Sequence, residues 1–270
     1  MIHLRSIEVR RPPEDEGGRY PFRVPTIAGL AGKTVELSAP VTFLIGENGS
    51  GKSTLLEALA VAARAVAVGA ADAERDQTLK GAQRLAGTLR LSWARRTHRG
   101  FFLRAEDFFG FAQRIQAMRE EMEQALREID ADGRMSAYAK GLASQPYARS
   151  LAEIRSRYGD GLDAVSHGES FYTLFRSRFV PDGLYLLDEP EAPLSPMRQI
   201  GLLSMFKELV EEQRAQLIVA THSPILMAYP GAQILSCDGG ALRPISYAEV
   251  EHVSLTRDFL ANPERVLRHL

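Results

Sequence analysis

Hydrophobic positions along the chain follow two rhythms. Ile2 to Arg10 alternates, with Ile2, Leu4, Ile7 and Val9 nearly in phase among charged residues, and predicts a strand at a sheet edge. Thr88 to Arg96 (TLRLSWARR) alternates again, and Gly100 to Arg104 (GFFLR) is expected to be its hairpin partner. The basic stretch Arg95 to Arg99 between them reads as a solvated hairpin tip, with contact to nucleic acid or a protein partner as the alternative. Val41 to Ile45, Gly183 to Asp188 and Gln216 to Thr221 are apolar runs, and Met197 to Gln213 carries apolar residues at helical spacing. Strand, helix, strand in that order predicts a parallel sheet with crossover helices. Short strands between Val24 and Ser38 are expected to complete an antiparallel layer. Ile234 to Ser246 reads as a hairpin around Gly239-Gly240, followed by two amphipathic helices.

From Phe108 to about Tyr158 the period becomes helical. Met118, Met122, Leu126 and Ile129 recur at spacings of four, four and three among acids and arginines, an amphipathic helix. Asp130-Ala131-Asp132-Gly133 is read as its glycine-capped end rather than a DxD metal pair. A second helix is expected from Tyr147, after Pro146, to Tyr158. The fold class is therefore α/β, with a mixed, mostly parallel sheet, an antiparallel layer and an inserted helical lobe at approximately 108–165 of a single domain, 1–270.

Chemistry enters at PVTFLIGENGSGKSTLLEAL, Pro40 to Leu59. A buried strand, a glycine-rich loop and a helix opening at Lys52 follow one another, and the loop fits G-x-x-x-x-G-K-[ST]. Glycines let the backbone wrap closely around a phosphate, so that N–H groups and the helix N-terminus face the anion. Gly46, Glu47, Asn48, Gly49, Ser50, Gly51, Lys52, Ser53 and Thr54 are the predicted nucleotide contacts. Lys52 reaches the β and γ phosphates, and Ser53 ligates Mg²⁺. Gly29 to Thr34 also ends in GKT, but its glycines are three apart, too close for such a loop. The apolar stretch Leu55 to Ala71, interrupted by Glu57 and Arg64, fits a core helix after the loop and is shorter than a bilayer span of about 20 residues.

Three further stations follow. In LYLLDE, Asp188 ends an apolar strand and is expected to hold Mg²⁺, while Glu189 orients and deprotonates the attacking water. In VATHSP, His222 follows the next strand and is expected on the same edge, where it can sense a γ-phosphate. In VSHGES, a Ser-x-Gly turn opens the segment Phe171 to Phe179, as an anion-binding helix end or an ordinary cap. Tyr20 and Phe22 are the aromatic candidates for stacking on the base. No NKxD-like guanine-reading motif is found.

Composition narrows the partners. Of 270 residues, 45% are hydrophobic and 25% charged, with a formal net charge of −1, so no global field draws the chain to nucleic acid or acidic membranes. The single cysteine, Cys237, excludes an internal disulfide and a cysteine-based zinc site and suits a reducing, cytoplasmic setting. The charged N-terminus shows no secretory h-region.

In order, GENGSGKST, SHGES, LYLLDEP, EAPLSP and VATHSP resemble the Walker A, signature, Walker B, D-loop and H-loop of ABC-type P-loop ATPases, over roughly Ile2 to Ser236. The chain looks most similar to the soluble branch that includes RecF-like, chromosome-maintenance and OLD-like ATPases. The resemblance implies ATP and Mg²⁺ as ligands. It also implies a head-to-tail homodimer with ATP between one P-loop and the Ser166/Gly168 signature of the other copy. Asp188 would serve Mg²⁺, Glu189 would be the base and His222 the γ-phosphate switch. The implied action is on DNA or on a partner protein, with an effector-gating clamp or a transporter subunit as the alternatives. Where transporter subunits usually read LSGGQ this chain reads VSHGE, and Ser195 stands at the usual D-loop aspartate. Glu106 is the candidate for the Q-loop position, with a structural role equally open.

Overall fold

The computed structural model describes residues 1–67, 80–158, 176 and 178–268. The chain divides into two compact units, Met1–Ala105 with Val180–Leu270, and Glu106–Phe179.

In the first unit, seven strands build the main sheet: β3 (Val41–Ile45), β4 (Val66–Ala67), β6 (Phe101–Arg104), β7 (Leu184–Asp188), β8 (Gln216–Ala220), β9 (Gln233–Ser236) and β10 (Arg243–Ile245). Their order is β10-β9-β3-β8-β7-β6-β4. Every pairing is parallel except that of β10 with β9. All five residues of β3, of β7 and of β8 are buried, which is why they read as unbroken apolar runs rather than alternating ones.

A second, three-stranded antiparallel sheet has the order β2-β1-β5, where β1 is Leu4–Val9, β2 Lys33–Glu36 and β5 Leu89–Trp93. The alternating N-terminal segment is thus the middle strand of its sheet, not an edge. Between β1 and β2 the expected strand character gives way first to the short helix α1 (Pro25–Leu30). A proline at its first position suits a helix start, where no N–H partner is needed.

The hairpin expected for β5 and β6 does not form. β5 pairs antiparallel with β1, and β6 lies in the other sheet beside β7 and β4. Residues 95–99 are therefore a crossing between sheets rather than a hairpin tip. They are tied down at Pro181 and Asp182: Arg95 pairs with the Asp182 carboxylate at 3.2 Å, Thr97 Oγ1 donates to its carbonyl at 2.8 Å, and Arg99 donates to the Pro181 carbonyl at 3.3 Å.

Two glutamines join the sheets. Gln216 Oε1 accepts from the His3 and Leu4 amides (2.8 and 2.7 Å), and its Nε2 donates to the Leu4 carbonyl (2.9 Å), so one buried side chain substitutes for a neighbouring strand. Gln233 similarly accepts from Ser38 N and donates to Glu36 O, both at 2.9 Å. The helix α2 (Lys52–Ala63) packs against β5 of the small sheet, β6, β7 and β8 of the large one, and α3 (Lys80–Ala86). Leu55, Leu56, Ala58, Leu59 and Ala60 are all buried, as expected for a helix apolar on most sides. α2 stops at Ala63, short of the predicted Ala71, because Arg64 turns left-handed (φ 55°) and β4 follows. Phe22 lies in this core, 3% exposed, and is not available to stack on a base; Tyr20 is exposed.

The chain then continues through α6 (Pro196–Glu211), α7 (Pro224–Met227), α8 (Glu251–Ala261) and α9 (Pro263–Leu267), with β9 and β10 joined by the turn at Asp238–Gly240 as predicted.

The second unit is helical where described. α4 (Ala105–Ala131) contains the predicted amphipathic helix; Met122, Leu126 and Ile129 are half-buried and Met118 is exposed. Its polar face is laced by i,i+4 contacts such as Arg119–Glu123 (3.1 Å) and Gln116–Glu120 (2.8 Å). α5 (Ala137–Tyr158) begins ten residues before the predicted start and carries Pro146 inside it.

Candidate functional site

Parallel strands deliver their C-terminal ends to one edge, and there β3, β7, β8 and β9 present the loops that matter. At the end of β3 the chain enters the glycine loop with Gly46 at φ 140° and leaves it through Gly51 at φ 111°. A Cβ on Gly46 would sit 2.8 Å from Asp238 Oδ1, and one on Gly51 would sit 2.6 Å from Val24 Cγ1. Both positions therefore need glycine for conformation and for space.

Asp238, which sequence reading missed, holds the loop from β9: its Oδ1 accepts from the Glu47 amide at 2.9 Å. The signal was available only as an acid just past a strand end. Glu47, Asn48 and Gly49 are exposed, and Ser50 Oγ is buried with no hydrogen-bond partner. Lys52 is 4% exposed, and its Nζ donates to the loop carbonyls of Gly46 (2.7 Å) and Glu47 (3.0 Å). Burial lowers its pKa, while the thiol of Cys237 and the carboxylates of Glu189, Asp188 and Asp238 oppose that shift. Thr54 is half-buried on the first turn of α2.

Ser53 Oγ donates to Asp188 Oδ1 at 3.1 Å, joining the start of α2 to the end of β7. Burial pushes the Asp188 carboxyl up to about 7. The Ser53 bond works against this shift, and neighbouring Glu189 and Glu57 reinforce it. Glu57 is itself paired with Arg104, at 3.5 Å. A hydroxyl beside a buried carboxylate suits Mg²⁺, a hard cation that takes oxygen ligands. Ser53 and Asp188 are the residues that fit it.

Glu189 follows in a left-handed conformation, φ 50°, uncommon for a residue with a side chain. Its amide donates to the Ala220 carbonyl at 2.9 Å, which fixes the turn against β8. Backbone strain of this kind costs on the order of 1–3 kcal/mol and clusters at working sites. The Glu189 Oε1 lies 3.7 Å from His222 Nε2, and that nitrogen is buried without a hydrogen-bond partner. Burial lowers the His222 pKa, with Lys52 acting in the same direction and Glu189 against it, so the neutral ring is favoured. The ring also lies near His252 of α8, centroid to centroid 5.8 Å. Glu191, also missed in the sequence, accepts from Thr221 Oγ1 and from the His222 amide.

The fold thus brings Lys52, Ser53, Asp188, Glu189 and His222 to one edge. Ser195 is the N-cap residue of α6. Ser166 and Gly168, with the segment Phe171–Phe179 that was read as a helix, lie outside the described residues save for positions 176, 178 and 179; the Glu106 side chain also lies outside them.

A mostly parallel sheet with this loop at the end of β3 and an acidic strand end two strands away has the fold of the ABC-type P-loop ATPases. Residues 41–166 and 170–228 match the family described as "AAA domain, putative AbiEii toxin, Type IV TA system", and the chain belongs to that family. Among solved structures it is similar to cbiO1 from Clostridium perfringens, part of the ABC transporter complex cbiONQ. Identity is 15%, coverage 100% of both chains and TM-score 0.50, a likeness of fold. MJ0796, a bacterial ABC transporter cassette solved as a dimer, aligns at 16% identity over 81% of this chain and 90% of that one, TM-score 0.43. No curated protein matches the chain. No helix among the described residues is long and apolar enough to cross a membrane.

Proposed function

We propose that the protein binds ATP at the glycine loop, hydrolyses it, and uses nucleotide to close two copies head to tail around two ATPs. The observation that carries this reading is the convergence of Lys52, Ser53, Asp188, Glu189 and His222 on the C-terminal edge of three neighbouring strands. The loop amides and the ammonium of Lys52 hold the phosphates; Lys52 exchanges its two loop carbonyls for phosphate oxygens. Ser53 and Asp188 would hold Mg²⁺, which would supply positive charge against the phosphates. Glu189 takes a proton from the attacking water. His222, neutral and with Nε2 unpartnered, meets the γ-phosphate. Ser166 and Gly168 of a second copy cap the nucleotide.

Contacts made only in the closed dimer let ATP shift the association equilibrium, and hydrolysis releases it. Closure drives a change in a partner protein or on DNA, in the cytoplasm. The family description names a toxin of a toxin–antitoxin system, which favours an effector-gating clamp as the second reading ahead of a transporter subunit. Steady-state hydrolysis tests the core of the proposal. Glu189→Gln is expected to turn over ATP roughly 10² to 10⁴ more slowly, the scale of a lost general base, while still binding it. Wild-type turnover in that variant removes Glu189 from the role.

A further inference from the structure

The turn that carries Glu189 also carries a second acid whose side chain points back into the neighbouring strand end. Glu191 Oε1 accepts two short hydrogen bonds, from Thr221 Oγ1 at 2.6 Å and from the His222 backbone amide at 2.7 Å. Thr221 Oγ1 in turn accepts from the Ser223 amide at 3.0 Å, so one carboxylate oxygen organises three consecutive residues. Ser223 is fixed further by donating to Gln199 Oε1 at 2.6 Å. The other oxygen, Glu191 Oε2, is buried with no hydrogen-bond partner. A buried carboxylate left half-satisfied is costly, and burial raises its pKa accordingly. Its charge-assisted bonds converge on the residue that faces Glu189 across 3.7 Å.

We propose that Glu191 is a positioning residue for His222: by holding the His222 amide and the Thr221 hydroxyl, it sets the imidazole against Glu189 and the γ-phosphate. This rests on the reading of His222 given above. Glu191 itself touches no reacting atom. It links the two strand ends, β7 and β8, that supply the base and the histidine, so both move as one unit.

A double-mutant cycle on ATP hydrolysis by the full chain tests this. Glu191→Ala is expected to lower kcat roughly 10- to 100-fold, the scale of a misplaced reacting group, with KM for Mg-ATP within about threefold of wild type. Glu191→Gln keeps an acceptor for both donors and is expected to retain kcat within about threefold. In a His222→Ala background, Glu191→Ala is expected to add nothing. If it lowers kcat there by the same factor as in wild type, Glu191 does not act through His222 and the proposal is overturned, while His222 keeps its own role. If His222→Ala alone turns over at the wild-type rate, the reading of His222 falls and this proposal with it. Should Glu191→Ala not fold, Thr221→Val removes one of the two donors in the same cycle, with the same non-additivity expected and additivity again overturning the proposal.

Discussion

Asp188→Asn separates what the site does from what it costs the fold. The substitution keeps the side-chain shape and an oxygen for the Ser53 hydroxyl, now 3.1 Å away, but removes the charge. In the metal-free chain, burial raises the Asp188 carboxyl from its ordinary 3.8 to about 7. Folded-state ionisation is therefore penalised on the order of 4 kcal/mol relative to the unfolded chain. A carboxyl whose folded pKa is raised binds its proton more tightly in the native state. Its contribution to stability is full below pH 3.8, falls as pH rises, and levels off above about 7. The amide introduced by the substitution does not titrate. The stability of Asp188→Asn minus that of wild type should then grow by about 3 kcal/mol between pH 5 and pH 8. Urea denaturation with a chelator present, across that range, measures it. Added Mg²⁺ with nucleotide should stabilise wild type more than the variant at pH 8, since the variant keeps the phosphate loop but loses the cation's carboxylate. A difference between the two proteins that stays flat from pH 5 to pH 8 would refute the placement of Asp188 as a buried acid awaiting a cation.

Other outcomes are as definite. Gln216→Ala removes three hydrogen bonds to the backbone of His3 and Leu4 and leaves buried partners unmet, so chemical denaturation should show a loss of roughly 2–4 kcal/mol. Gly51→Ala forces a Cβ to 2.6 Å from Val24 and into a left-handed conformation. It should lower stability by about 1–3 kcal/mol and abolish ATP binding by fluorescent-analogue titration; unchanged affinity would show that the loop does not wrap phosphate. Ser166→Arg, introduced into Glu189→Gln, should prevent the ATP-driven dimer on size exclusion while each copy still binds nucleotide.

How far these features could be read from the chain depended on how local their causes are. The glycine loop and the helix start at Lys52 were legible because strand, loop and helix are contiguous and each residue type is needed by its neighbours. β7 and β8 were legible because both of their faces are covered, which leaves an unbroken apolar run. β6 carried the same mark, since Phe101 to Arg104 is buried at every position, but nearness in sequence to β5 suggested a hairpin. Alternation in β1 identified a half-covered strand and carried no information about how many neighbours it has. Gln216 and Asp238 were illegible for a different reason: their partners lie about 190 to 213 positions away, so no short-range pattern marks them. Glu191 sits in a motif that was noticed, yet its bond to His222 exists only once β7 and β8 are side by side. Pro146, expected to precede a helix that starts at Tyr147, is carried inside α5.

The central claim is that Mg-ATP on this edge closes two copies of the chain. Light-scattering mass of the Glu189→Gln variant, with and without Mg-ATP, tests it most directly, because slowed hydrolysis holds the closed state. The account predicts a doubling of mass on adding Mg-ATP and a return to monomer when nucleotide is removed. A mass that stays that of one chain, with ATP demonstrably bound, would contradict it.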